Sequence, residues 1–257
     1  MNAILQEGIK GTLTYRVFKS REEMGEHSAD LAANKIKAAL NEKDEVRVIF
    51  ACAPSQNEML RHLVETPDID WSRIVGFHMD EYIGLPEDST QWFKFYIENH
   101  LLSKVSLKEF HFIDGTKSPE KMMEEYTSLL NEAEIDVVCL GIGENGHIAF
   151  NDPPVADFND PFMIKEVQLD QFSRQQQVND GCFETLDEVP THALSLTIPA
   201  LIRAKRMVCT VPGITKSRAV KETLSNEIST DCPSTILRKH NDAYLIMDKS
   251  AFGEYYD

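Results

Sequence analysis

Residues 135–154 read Ile-Asp-Val-Val-Cys-Leu-Gly-Ile-Gly-Glu-Asn-Gly-His-Ile-Ala-Phe-Asn-Asp-Pro-Pro. The first eight residues carry a single charge, Asp136, and show no polar alternation. Such a run predicts a strand buried on both faces, the kind found in parallel sheets covered by helices on either side. Beyond Ile142 the pattern breaks. Glycines at 141, 143 and 146 allow sharp turns, and Pro153-Pro154 exclude a regular helix. The stretch therefore reads as a buried strand feeding a loop at its carboxyl end. In an open parallel sheet that is where ligands bind.

The same alternation extends outward. Residues 13–18, 45–53 (EVRVIFACA), 73–78 (RIVGFH), 110–113, 163–169, 194–198, 206–212 and 243–248 predict strands. Helical patterns fill 21–41, 57–65, the segment from Ser89 to about 103, the segment opened by Ser118-Pro119-Glu120, a glutamine-rich stretch after 169, and 215–225. Ser20 with Glu23 predicts a capping box, Ser89 an N-cap, and Pro119 the first helical position. Residues 79–88 read as a loop. No linker or repeat divides the chain, so residues 1–257 are expected to form one α/β domain: a doubly wound, mostly parallel sheet with helices on both faces.

Composition narrows the partners. Lys and Arg number 26 against 42 Asp and Glu, a net charge of −16, which argues against nucleic acid or an anionic membrane surface. A small phosphorylated substrate would need only a local cationic pocket. The longest apolar runs, such as 48–53, fall far short of the ~20 residues of a membrane span. The first 25 residues mix Glu7, Lys10, Arg16, Lys19 and Arg21 without an apolar core, so no secretory signal is expected. Five cysteines with no C-x-x-C spacing read as reduced thiols of a cytoplasmic protein. No H-E-x-x-H or Cys/His set predicts a metal.

Applied to the predicted strands, the carboxyl-end rule selects loops 54–57, 79–85, 141–154 and 213–217. Gly141, Gly143 and Gly146 spell a literal G-x-G-x-x-G. A dinucleotide site needs a helix opening at the third glycine; His147 and two prolines follow instead, so no nicotinamide or flavin cofactor is expected. The glycines would let the backbone approach a ligand and present His147. Asn145 and Asp152 lie close by in sequence, and a carboxylate that near orients an imidazole, which suits proton shuttling, although a histidine taken in isolation is more often a core residue satisfied by a carbonyl. Asp80 and Glu81 form a solvated turn or, among Phe77, Met79, Tyr82 and Ile83, desolvated carboxyls of raised pKa fit for a general base. Lys216, after Gly213 at a helix start, is either an anion anchor or an exposed helix lysine. Ser55, Gln56 and Asn57 offer hydroxyl and amide donors, and Arg174 either clamps phosphate or faces solvent.

Residues 77–85 (FHMDEYIGL), 141–153, 189–194 (VPTHAL), 213–216 and 232–237 (CPSTIL) together resemble the glucosamine-6-phosphate deaminase (isomerase) family, which is related to galactosamine-6-phosphate isomerases and 6-phosphogluconolactonases. The lactonases resemble the chain less, because their Gly-His motif usually runs on to Ser-Leu-Phe-Pro. The resemblance implies a Rossmann-like parallel sheet, no metal or organic cofactor, and an amino-sugar phosphate as the small-molecule partner; a homo-oligomer is compatible with it. It also implies chemistry in which a ring-opened 2-amino-2-deoxyhexose 6-phosphate loses its C2 proton to a carboxylate. The proton reaches C1, C2 loses ammonia, and a ketose 6-phosphate results. Asp80 matches that carboxylate, Glu81 the neighbouring acid, His147 the ring-opening histidine, Lys216 the phosphate lysine, and Gly141 a backbone contact to the sugar.

The chain departs from the family pattern in four places. Asn145 stands where Asp is usual and Asp152 where Glu is usual. Ser55-Gln56-Asn57 replaces a Thr-Gly-Gly-Thr type cradle, and Arg174 is the nearest stand-in for the phosphate arginine. These changes predict a different support for His147 and an altered sugar preference, glucosamine or galactosamine 6-phosphate. The chain stops soon after its last strand, so no C-terminal effector extension is expected. A 6-phosphogluconolactonase, or a sensor that keeps the pocket without the chemistry, is the competing expectation.

Overall fold

Val137–Leu140 is buried along its whole length and faces a different layer with each successive side chain. Val137 and Cys139 pack with helices on one side of the sheet; Val138 and Leu140 pack with helices on the other. This two-sided burial explains the unbroken apolar run in the sequence. In the computed structural model, which describes residues 3–253, this strand is β7 of eleven.

The strands are β1 (Gln6–Lys10), β2 (Leu13–Phe18), β3 (Val46–Phe50), β4 (Ile74–His78), β5 (Asp80–Tyr82), β6 (Glu109–His111), β7, β8 (Ile164–Gln168), β9 (His192–Leu196), β10 (Arg206–Val211) and β11 (Ala243–Asp248). The helices are α1 (Arg21–Glu42), α2 (Asn57–Glu65), α3 (Phe93–Ile97), α4 (Pro119–Asn131), α5 (Gln171–Asn179), α6 (Ile198–Ile202), α7 (Ser217–Ser225) and α8 (Lys249–Phe252). Eight strands form one sheet in the order β1-β2-β11-β10-β7-β3-β4-β6. Every neighbouring pair is parallel except the β1–β2 hairpin. From β3 the chain winds outward through β4 and β6, returns to the centre at β7, and winds the other way through β10 and β11. The strand order therefore reverses between β3 and β7, the topological switch point of this sheet.

The helix layers follow from the sequence pattern. α1 carries a stripe of Gly25, Ser28, Ala29, Ala32, Ala33 and Ala39, all buried. A β-carbon at Gly25 would lie 2.3 Å from Glu58 Cβ, so the glycine lets α1 and α2 pack at backbone distance. Ser20 Oγ accepts from Glu23 N at 3.2 Å as the capping pattern predicts, although the Glu23 carboxylate reaches back to Lys19 N rather than to Ser20 N.

Of the differences from the sequence expectation, two shape the site. Residues 79–88 are not all loop: β5 joins β9 and β8 in a separate three-stranded antiparallel sheet. Three residues, two of them acidic, carry no strand signal of their own; pairing with a segment more than a hundred positions downstream supplies it. The helix expected from Ser89 starts at Phe93 and widens into a π-helical turn through Glu98–Leu102. Its cap is Glu81, whose carboxylate accepts from Phe93 N and Lys94 N, both at 3.0 Å.

The close approach at Gly25 makes a checkable demand. Gly25→Val should destabilise the protein by about 1–3 kcal/mol through overpacking, read as a lower urea midpoint with unchanged m-value.

Candidate active site

A cleft of about 300 Å³ opens at the carboxyl ends of β3, β7 and β10, over the switch point. Asp80, His147, Lys216, Ser55 and Gly141 all line it, together with Arg21. Four separate loops thus converge as the carboxyl-end rule requires.

The histidine is built into its position from both sides. Gly143 N donates to His147 O at 2.9 Å and Gly146 N to Gly143 O at 3.1 Å, folding residues 143–147 into a tight turn. Gly146 takes φ +81°, and Gly146 O accepts from Ser234 N at 2.8 Å. A β-carbon on Gly143 would fall 2.2 Å from the imidazole, so the ring lies against bare backbone. Nδ1 sits 2.9 Å from Asp152 Oδ1, leaving Nε2 as the ring nitrogen free for a ligand.

Asn145, the departure from the family's Asp, donates Nδ2 to Asp152 Oδ1 at 2.8 Å and accepts His147 N on Oδ1 at 3.0 Å. An amide can do both; a second carboxylate at that distance from Asp152 would repel it. Ser173 Oγ also reaches Asp152, at 2.6 Å and 2.7 Å from its two oxygens. Burial alone would raise the Asp152 carboxyl, but the His147 charge and the bonds from His147, Asn145 and Ser173 outweigh it and hold the pKa at about 2.

Asp80 has the opposite environment. It is buried and receives no comparable set of donors, so desolvation lifts its pKa to about 7, with His147 pulling modestly the other way. Lys216, which lines the same cleft, is buried without an ion-pair partner among the described residues. Burial lowers its pKa while Asp180 and Glu144 oppose the shift. An ammonium held this way is suited to an anion.

Several residues singled out from the sequence do not line the cleft. Glu81 points away from Asp80, as strand alternation dictates, and its carboxylate accepts from Tyr82 N, Phe93 N and Lys94 N. Burial pushes it up to about 8 against the pull of those three donors. Gln56 is fully buried and bridges β7 to β10, donating Nε2 to Leu140 O and Thr210 O at 3.2 and 3.4 Å. Asn57 accepts from Tyr96 Oη at 2.9 Å. Arg174 turns to the carbonyls of Leu186 and Val189, at 2.6 and 2.9 Å, and neither clamps the cleft nor faces open solvent.

The sequence reading overlooked Arg21, whose Nε lies 2.8 Å from Glu58 Oε1 and whose Nη2 donates to Pro54 O. It follows β2, so the carboxyl-end rule covers it; its place beside a helix cap hid it. Gln177 and Asp180 of the α5 region also line the cleft and had no motif to mark them. Among the described residues, no group of three or more His, Cys, Asp or Glu side chains is arranged to hold a metal, and no helix is long and apolar enough to cross a membrane.

A family model described as glucosamine-6-phosphate isomerases/6-phosphogluconolactonase matches residues 19–159. The chain belongs to this family. Among its relatives there, a glucosamine-6-phosphate deaminase of Lactobacillus helveticus is 32% identical over 216 residues, 84% of this chain and 88% of that protein. One from Bacillus cereus is 35% identical over 184 residues, 71% of this chain and 68% of that protein. A solved monomeric glucosamine-6-phosphate deaminase superposes with TM-score 0.83 at 26% identity, covering 94% of this chain and 98% of that one. The 6-phosphogluconolactonase of Thermotoga maritima, at 20% identity and TM-score 0.75, shares the fold.

The two carboxyls make opposite demands on pH. Asp80 stabilises the fold while protonated, below its unfolded value of 3.8, and loses that contribution as pH rises through about 7. Asp80→Asn should therefore gain up to about 4 kcal/mol over the wild type at pH 8 and little at pH 4, measured by urea unfolding at both values.

Proposed function

We propose that this cleft converts a 2-amino-2-deoxyhexose 6-phosphate, glucosamine or its galacto epimer, and water into the ketose 6-phosphate and ammonia. One observation carries the reading: a carboxyl of pKa about 7, a carboxylate-held imidazole and a buried unpaired ammonium line the same cleft. The deaminase relatives support it.

His147, with Nδ1 on Asp152, presents Nε2 to the ring oxygen and O1 proton and opens the pyranose. Asp80 takes the C2 proton and returns it to C1, which leaves an iminium carbon at C2. Water adds there, the C2–N bond breaks, and nitrogen leaves as ammonia with its electron pair. A base near neutrality suits this, since a general base is most effective when its pKa lies near the working pH. Lys216 and Arg21 hold the phosphate at the far end, with Ser55 and the backbone at Gly141 contacting the sugar. Arg21 replaces the arginine sought at 174. Asp152, Asn145 and Ser173 act through His147 as positioning residues. Five free cysteines, four of them buried, fit the reading of a cytoplasmic enzyme.

The purified protein should release ammonia from glucosamine 6-phosphate or galactosamine 6-phosphate. Asp80→Asn should lower kcat by about a thousandfold or more with KM little changed. Hydrolysis of 6-phosphogluconolactone that survives that substitution, with no ammonia from either sugar, would replace this reading with a lactonase. Arg21→Gln and Lys216→Met should raise KM, each by about tenfold or more, whereas Arg174→Gln should leave KM alone. Because the base must be ionised, kcat/KM should rise with pH and level off above about 7.

A further inference from the structure

Among the described residues, one buried polar side chain lines the cleft with neither a partner nor a role in these steps. Gln177 is 9% exposed. Its side chain makes no hydrogen bond among the described residues, yet neither amide atom is sealed inside the protein. Its neighbour Gln176 is committed, accepting on Oε1 from Glu144 N at 2.9 Å and donating Nε2 to Asp180 Oδ2 at 3.3 Å. A buried amide left without partners is costly, so Gln177 calls for a ligand that both accepts and donates.

The helix sets where that ligand group must lie. Residues three, four and seven apart on a helix share a face. On α5 and its C-cap that face carries Ser173, Gln177 and Asp180. Ser173 Oγ lies 3.3 Å from His147 Nδ1 and donates to Asp152. Asp180 lines the cleft, and its charge acts on Lys216. At 1.5 Å of rise per residue, Gln177 stands about 6 Å along the axis from the contact with the imidazole, toward Asp180.

The rest follows by elimination. In the deaminase reading, O1 and the ring oxygen belong to His147, C2 and its nitrogen lie at Asp80, and the phosphate belongs to Lys216 and Arg21. The hydroxyls on C3 and C4 remain. A planar amide offers a donor and an acceptor side by side, which matches two adjacent hydroxyls. Inverting C4 carries one hydroxyl of that pair away from the amide.

We infer that Gln177 is a specificity-determining residue, whose amide hydrogen-bonds the C3 and C4 hydroxyls of the sugar and so sets the choice between the gluco and galacto epimers. The inference rests on the deaminase reading, which fixes the direction of the sugar in the cleft.

Calorimetric binding of two unreactive open-chain analogues, 2-amino-2-deoxyglucitol 6-phosphate and 2-amino-2-deoxygalactitol 6-phosphate, tests it. The wild type should favour one of them by about three- to tenfold. Gln177→Met, which keeps the length of the side chain without its donor or acceptor, should bring the ratio close to one with Tm no lower than that of the wild type. The 4-deoxy analogue of the favoured epimer needs no variant and should bind the wild type more weakly by the same factor. Equal affinities of the wild type for both epimers, a preference that survives Gln177→Met, or full affinity for the 4-deoxy analogue would each overturn the assignment while ammonia release still upheld the deaminase. A preference erased by Gln177→Met in a protein that releases no ammonia would uphold the assignment and sink the deaminase reading. A wild type that binds neither analogue would sink both.

Discussion

The antiparallel pairing of β5 with β9 fixes the distance between the two halves of the chemistry. Asp80 stands opposite Ser195 in the register, and Ser195 Oγ accepts from Phe150 N at 3.0 Å. Asn151 Nδ2 donates at 2.8 Å to Leu196 O, while Leu196 N donates at 2.8 Å to Met79 O. One strand therefore ties the loop after β4 to the loop after β7. The parallel sheet brings both loops to its carboxyl edge, but the small sheet sets how they meet. Without it, a proton acceptor and an imidazole on two separate loops would have no common frame.

Within that frame the fold assigns opposite states to two buried carboxyls. Asp152 is surrounded by an imidazole, an amide and a hydroxyl and stays ionised. Asp80 is denied such donors and sits near neutrality. Environments that drive two acids apart mark acid–base sites. Asn145 belongs to this scheme. As a carboxylate it would crowd Asp152; as an amide it joins Asp152 to the backbone of His147. The substitution that suggested a sensor without chemistry leaves the His147–Asp152 contact in place by a different route.

Much of this was readable in the sequence because it depends on local pattern. The buried strands, the α1 cap and the convergence of Asp80, His147 and Lys216 all follow from periodicity, turn residues and the carboxyl-end rule. What escaped depends on pairing across long separations. β5 is a strand only because β9 lies beside it. Glu81 reads as a second acid until the structure shows it capping α3. Gln56 reads as a ligand donor until it is found joining β7 to β10. Arg174 and Arg21 are both arginines near helix starts; only the packing of α1 against α2 and of α5 against residues 186–189 decides which one reaches the cleft.

The shared architecture of deaminases and lactonases shows that the sheet does not choose the reaction. An imidazole held by a carboxylate serves either a ring oxygen or a hydrolytic water. The choice falls to the strand opposite. A lactone carbonyl needs no base for carbon, so a desolvated carboxyl would weaken the fold above neutral pH with no gain in rate. In this chain the carboxyl is kept, buried and raised to about 7. A strand of three residues thus sets Asp80 into the cleft from its first position and caps α3 from its second.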